Sequence, residues 1–271
     1  MKRKPLGNTG ETVPEIGLGT WRYAGGSVPL QAGIALGADL IDTAERYGTE
    51  DAVGEAIAGI RDKVFVATKV RHENLRYDDV LRAADNSLTK LGIDCIDLYQ
   101  IHRPNPEVQI AETMRALDEL VDAGKVRFLG VSNFSVAQME EAQAESKNRI
   151  VSNQVRYSLI DRTIERDLLP YCQAHDVTII AYTPLARGLD KFEDGLRKNA
   201  LADVAQAEGR TEAQVALNWC ISKQNVVAIP RASTVPHVED VCTASGWSLS
   251  AESVERLEAA YQGDSPLRAR R

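Results

Sequence analysis

Apolar and polar positions in this chain follow two alternating rhythms. Short runs dominated by consecutive apolar residues occur at 15–19, 39–43, 64–70, 96–101, 126–132, 150–154, 178–182 and 226–229. Most are continuous rather than alternating, the pattern of parallel strands covered on both faces. Between them, apolar residues fall at helical spacing. Residues 78–91 set Val80, Leu81, Ala84, Leu88 and Leu91 on one face before Gly92, and residues 111–123 set Met114, Leu117, Leu120 and Val121 on one face before Gly124. In each case the glycine is a helix stop. Thr211 and Glu212 open another helix carrying Val215, Leu217 and Trp219, and residues 251–261 read as an appended C-terminal helix. Ahead of the first run, residues 4–13 hold Leu6-Gly7-Asn8-Thr9-Gly10, turn residues that predict a small hairpin at one end of the fold.

Eight strand–helix units predict one α/β domain over residues 1–271. The expected architecture is a (β/α)8 TIM barrel with a short N-terminal β-hairpin and an extra C-terminal helix, in preference to an open doubly wound sheet. A chain of 271 residues suits a single barrel. At that size it buries roughly three quarters of its unfolded surface and needs no disulfide or structural metal.

Charge and cysteine content narrow the class further. A net charge of -7 repels phosphate backbones, so nucleic acid is not an expected partner. Arg268, Arg270 and Arg271 form a basic cluster that reads as a solvated tail. Cys95, Cys172, Cys220 and Cys242 are widely spread with no C-x-x-C pair, so no metal site is expected. Met-Lys-Arg-Lys-Pro at the start is not followed by the apolar run of a signal peptide, and no segment reaches eighteen apolar residues. The expectation is a cytoplasmic protein with no membrane partner. Asn133-Phe134-Ser135 matches a glycosylation acceptor only incidentally. No feature demands a dimer, so a monomer is the expected state.

Active sites of such barrels lie at the C-terminal strand ends. Here the second run ends at Asp42, with Tyr47 five residues on, the third at Lys69 and the fourth at His102. Singly, each has an ordinary reading as a loop charge, a structural histidine or a loop-capping tyrosine. Asp42 and Lys69 lie 27 residues apart, Lys69 and His102 33, and each gap is one βα unit. Successive strands would therefore aim all four into one mouth. A tyrosine has a free pKa of roughly 10. An ammonium between Asp42 and Tyr47 is expected to lower that value, and the carboxylate to hold the ammonium in place. His102 would orient a carbonyl or share the tyrosine proton. The set suits general-acid protonation of an oxyanion formed by hydride attack.

Further motifs occur in order. They are Gly17-Leu18-Gly19-Thr20-Trp21, Asp42-Thr43-Ala44 with Tyr47-Gly48, Thr68-Lys69, His102-Arg103-Pro104 and Gly130-Val131-Ser132-Asn133-Phe134. Asn153-Gln154, Tyr182-Thr183-Pro184-Leu185 and Ile229-Pro230 follow. Through these the sequence resembles the aldo-keto reductases from Leu6 to about Glu258. The resemblance implies NADPH-dependent reduction of aldehydes and ketones to alcohols. Asp42, Tyr47, Lys69 and His102 would be the catalytic residues, with Tyr47 as general acid. NADP(H) would be the cofactor. Gly19, Thr20, Trp21 and Asp42 would lie near the nicotinamide, Ser132, Asn133 and Gln154 would hold its carboxamide, and Tyr182 would stack on its ring. Thr183 and Leu185 would follow toward the pyrophosphate, with Arg231, Ser233 and His237 at the adenosine end.

Two positions depart from the family pattern. His237 stands where many relatives carry arginine, and Val241 where asparagine is common. Arg231 offers a forked donor for a 2′-phosphate, which keeps NADPH the expected cofactor, whereas His237 is only partly charged at neutral pH. Gly17-x-Gly19 lacks the third glycine of a Rossmann fingerprint and reads as a turn. On the substrate side, Trp21 would supply a wall beside Tyr47 and His102. Arg71 or Arg103 would favour carbonyl compounds bearing an acidic or polar group, the alternative being two exposed loop arginines. The segments after His102 and Leu185 are short, which implies an open pocket.

Two other functions use the same residues. A Schiff-base lyase would use Lys69 as nucleophile, leaving Ser132, Asn133, Gln154 and Tyr182 without a purpose. An NADP(H)-binding redox sensor would keep the fold and turn over slowly, which the intact four-residue set argues against.

Overall fold

Strands β1 (Arg3–Pro5) and β2 (Thr12–Pro14) pair antiparallel as a hairpin. Eight parallel strands follow: β3 (Leu18–Gly19), β4 (Leu40–Asp42), β5 (Phe65–Val70), β6 (Ile96–Ile101), β7 (Val126–Ser132), β8 (Ile150–Arg156), β9 (Thr178–Tyr182) and β10 (Val226–Ile229). Each pairs with the next in sequence order. This is a computed structural model, and it describes residues 1–189 and 195–262. The arginine cluster at 268, 270 and 271 lies outside them.

The first and last strands meet and close a (β/α)8 TIM barrel. Ile16 bridges Ala228, the Ala228 amide donates to the Glu15 carbonyl at 2.9 Å, and the Gly19 amide donates to the Pro230 carbonyl at 3.0 Å. Glycine makes this seam possible: a Cβ on Gly19 would sit 2.8 Å from the Ile229 carbonyl oxygen, and one on Gly17 2.8 Å from that of Leu40. The run expected over 15–19 is thus a two-residue strand with an isolated bridge before it.

Inward-facing residues recur every second position along a strand. At the N-terminal end of the barrel they are apolar: Leu40, Phe65, Ala67, Leu98, Val151, Ile180 and Val227 share a core with Leu6 and Val13 of the hairpin, which plugs this end. Continuing in steps of two toward the C-terminal end, the same strands reach Asp42, Lys69, Gln100 and Tyr182. The barrel therefore turns from apolar to polar along its own axis. The outward faces pack against the helices in a second core that includes Ile41, Val66, Tyr99, Val131 and Ile179.

Helices Tyr77–Leu91 and Ile110–Asp122 occupy the predicted spans to within a residue, each followed by a glycine at positive φ, Gly92 and Gly124. Thr211 caps Glu212–Ile221 in a capping box with Gln214, and Ser250 caps Ala251–Ala260. Cys172, Cys220 and Cys242 are buried and Cys95 half-buried. Burial pushes the Cys172 and Cys220 thiols up to about 12, which removes thiolate chemistry at neutral pH. Among the described residues no helix is long and apolar enough to cross a membrane, and no cluster of His, Cys, Asp or Glu is placed to hold a metal ion.

Candidate active site

Lys69 is fully buried, yet its ammonium is fully engaged. Nζ donates to Asp42 Oδ1 at 2.7 Å, to Asp42 Oδ2 at 2.9 Å and to the Thr43 carbonyl at 2.8 Å. Gln154 Nε2 supplies a further donor to Asp42 Oδ2 at 2.7 Å. A dry ion pair persists only when its remaining valences are satisfied in this way. Burial pulls the Lys69 pKa down, but Asp42 and Tyr47 outweigh it, so the group stands above its usual range and keeps its charge.

Tyr47 ends a 3-10 turn, Glu45–Tyr47, which stops at Gly48 in the left-handed conformation (φ 67°). The turn is tied down by Glu45, whose carboxylate accepts from the Arg71 amide at 2.9 Å and from Asn74 Nδ2 at 2.6 Å. Tyr47 Oη lies 3.5 Å from His102 Nε2, the two rings meet edge to face at 5.4 Å, and Lys69 Nζ is 4.9 Å from the Tyr47 ring centroid. Lys69 does pull the Tyr47 pKa down, as expected, but the net shift is upward. Burial pushes the phenol above its usual value, Lys69 opposes this without overcoming it, and Asp42 adds to the rise. The phenol is therefore neutral and carries a proton to give.

His102 is held neutral by burial first, then by Lys69, Arg103, Arg46 and His72, which together push its pKa down to about 3. Its Nδ1 is buried and has no partner among the described residues, while Nε2 faces Tyr47. A neutral imidazole facing Tyr47 suits orienting a carbonyl oxygen.

A second polar cluster crowns β7–β9. Ser132 Oγ donates to the Gln154 carbonyl at 2.8 Å, Asn133 Nδ2 to the His102 carbonyl at 3.1 Å, and Tyr182 Oη to Asn133 Oδ1 at 2.9 Å. The cluster carries backbone in sparsely populated conformations: Asn133, Thr183, Ala186 and Arg187 have φ of 62°, 47°, 53° and 74°. Such strain concentrates at ligand-binding turns. Thr20 is buried and donates to the Asp42 carbonyl at 3.0 Å, while Trp21 lies at the surface between the guanidinium groups of Arg22 (4.6 Å) and Arg187 (5.3 Å). Arg231 Nη1 donates to the Arg22 carbonyl at 3.1 Å, which ties the segment after β10 to the segment after β3. Leu185 and Ser233 are half-buried and His237 is exposed.

Asp42, Tyr47, Lys69 and His102 thus meet in one cluster, with Ser132, Asn133, Gln154 and Tyr182 beside them. Arg71 is paired within its own loop. Its Nε binds Glu73 Oε2 at 3.0 Å, a bond that helps hold the Glu73 carboxyl at about 2, so its charge is already matched. Arg103 is exposed. Unread in the sequence were Gln100, whose Oε1 lies 3.4 Å from Gln154 Nε2, together with Glu45, Arg46 and Arg187. Gln100 was discoverable, since it sits two residues before His102 on the inward face of β6.

Residues 15–262 match the sequence profile of the Aldo/keto reductase family. A methylglyoxal reductase of Escherichia coli strain K12 is 40% identical over 275 residues, covering 96% of each chain. A thermostable aldo-keto reductase crystallised with the inhibitor epalrestat superposes with a TM-score of 0.90 at 40% identity, over 96% of this chain and 100% of that one. An aldo/keto reductase from Klebsiella pneumoniae, in complex with NADP and acetate, gives 0.89 at 37% identity, over 97% and 98%. Barrel, cluster and likeness agree, and the chain belongs to the aldo/keto reductase family.

Proposed function

We propose that this protein reduces aldehydes and ketones to alcohols with NADPH, with Tyr47 as the proton donor. The observation that carries the reading is a neutral phenol, Tyr47, set 3.5 Å from a neutral His102 and beside the buried Lys69–Asp42 pair. Related proteins support it: one relative is a methylglyoxal reductase and one neighbour was crystallised with NADP.

The donor set fits a nicotinamide nucleotide. Amide and hydroxyl groups of Ser132, Asn133 and Gln154 complement a carboxamide, and the half-buried Tyr182 offers a ring face beside them. Gly19, Thr20 and Trp21 would border the nicotinamide, Thr183 and Leu185 the pyrophosphate, and Arg231, Ser233 and His237 the adenosine end. Arg231 presents the forked donor that a 2′-phosphate takes, the ground for preferring NADPH to NADH. When bound, the cofactor supplies the hydride to the carbonyl carbon.

The protein's own residues then handle the oxygen. A substrate carbonyl accepts hydrogen bonds from Tyr47 Oη and His102 Nε2. As charge builds on its oxygen, the Tyr47 proton moves across. The resulting phenolate faces the Lys69 ammonium, which Asp42 keeps in place, and solvent later returns the proton. General-acid transfer of this kind is worth about 10²–10⁴ in rate. Lys69 is unsuited to Schiff-base chemistry, because that requires a free amine and Nζ is a charged donor to three acceptors.

The test is to titrate the protein with NADPH and NADH and then follow nucleotide absorbance with methylglyoxal and a series of simple aldehydes. The reading predicts tighter binding of NADPH and its oxidation by one or more of these carbonyls. Tight NADPH binding with no oxidation by any of them would refute it and make a redox sensor the better account.

A further inference from the structure

Arginine partners divide the molecule sharply. Arg3, Arg61, Arg71, Arg127, Arg162 and Arg256 each face a carboxylate, while Arg115 and Arg210 lie over aromatic rings. Among the described residues, Arg46 and Arg103 make no hydrogen bond, ion pair or ring contact. Both are exposed at the barrel mouth. Arg46 immediately precedes Tyr47 and Arg103 immediately follows His102, so the unpaired guanidinium groups flank the two residues that would hold the substrate carbonyl.

Their backbones are fixed. The turn carrying Arg46 is tied down by Glu45, whose carboxylate is committed to the Arg71 amide and Asn74 and leaves Arg46 unmatched. Arg103 leaves a residue whose amide donates to the Val70 carbonyl at 3.0 Å and whose carbonyl accepts from Asn133 at 3.1 Å. Both charges are near enough to act on His102. They rise from the ends of β4 and β6, apart from the segments after β9 and β10 that hold Leu185 and Arg231. On a chain of net charge -7, uncompensated cations at one mouth draw anions there.

We propose that Arg46 and Arg103 receive an anionic group of the substrate, so that the favoured substrates are short aldehydes or ketones carrying a carboxylate. This rests on the reductase reading above and narrows it. Arg103 takes the role expected of an arginine here, and Arg46 replaces the Glu73-bound Arg71.

Succinic semialdehyde and its methyl ester differ in charge at nearly equal size, and so form the probe pair. The quantity to compare is the ratio of kcat/KM, acid over ester, with NADPH at low ionic strength. The proposal expects a ratio of about 10 or more, the worth of a charge-assisted hydrogen bond, falling toward unity at high salt. In Arg46→Gln/Arg103→Gln the ratio should fall about 10-fold, chiefly through KM for the acid, and the double lysine variant should restore part of it. Partial misfolding would lower both rates by the same factor and cancel in the ratio, so the ratio reports the folded variant alone. A ratio near unity in the wild type, or one that survives the double glutamine variant, overturns the proposal. If methylglyoxal is reduced but neither probe is, the substrate class is wrong and the reductase reading stands. If nothing is reduced, both fall.

Discussion

The two ends of the barrel use the same charges for different purposes. At the plugged end Asp97 forms ion pairs with Arg61 and Arg127, each at 2.7 Å, and accepts from the Val66 amide at 2.8 Å, while Arg3 meets Asp39 at 2.7 Å. A cavity of about 750 Å³ opens there, lined by these matched charges. At the mouth Asp42 is buried to a similar degree, but its cation, Lys69, is wholly inside. The cations on Asp97 are wetted, with Arg61 and Arg127 side chains 27% and 44% exposed. Solvent screens the lower pairs, of which Arg3–Asp39 fastens the hairpin to the segment before β4. It does not reach the upper pair, whose field falls on Tyr47. A carboxylate–cation pair becomes chemical equipment when it is dry and has an uncharged proton donor beside it.

That contrast is most severely tested by cutting each aspartate in turn. Asp42→Ala leaves a buried ammonium without its counter-ion, so turnover should fall by about 10²–10⁴ and stability by about 3–5 kcal/mol. Asp97→Ala should cost about 1–3 kcal/mol through the stranded Val66 amide and the loosened arginines, with kcat/KM unchanged. Steady-state kinetics with denaturant unfolding measures both, and equal losses of turnover would dissolve the distinction.

A pH series sharpens it. The folded pKa of His102 is depressed to about 3, below an unfolded value of roughly 6.5. Its contribution to stability is therefore complete above about 6.5 and is lost as pH falls from there toward 3. His102→Gln should remove that acid-side slope. Tyr47 titrates above its ordinary value, so reduction should stay level through neutrality and fall only beyond roughly pH 10. A rate that fell near pH 7 would mean the phenol is already ionised. The smallest effect separates arginines: Arg231→Ala should weaken NADPH about 10-fold and leave NADH unaffected, whereas Arg127→Ala should change neither affinity.

Continuous apolar runs displayed most of the barrel, and β6, β7, β9 and β10 have the expected limits. Helix Ser27–Ala35 gives no periodic signal in the sequence, because it holds Pro29 and Gly33 and has no clear polar face. Gly33 sits there because a Cβ would come 2.4 Å from Leu18 Cδ1, a contact between distant segments. Asp42, Lys69 and His102 were legible because strand ends recur at unit spacing. The sign of the Tyr47 shift was not, since it depends on burial, which spacing does not report. The pairing of Arg71 with Glu73, two residues on, is settled by the turn between them, which spacing does not report. Arg46 looked like any surface charge until its lack of a partner could be seen.

The central claim is that Tyr47 supplies the proton, and Tyr47→Phe tests it most directly. Single-turnover oxidation of bound NADPH by methylglyoxal should slow by about 10²–10⁴, with NADPH affinity unchanged because the ring remains. A phenylalanine variant that reduced the carbonyl at the wild-type rate would contradict the account.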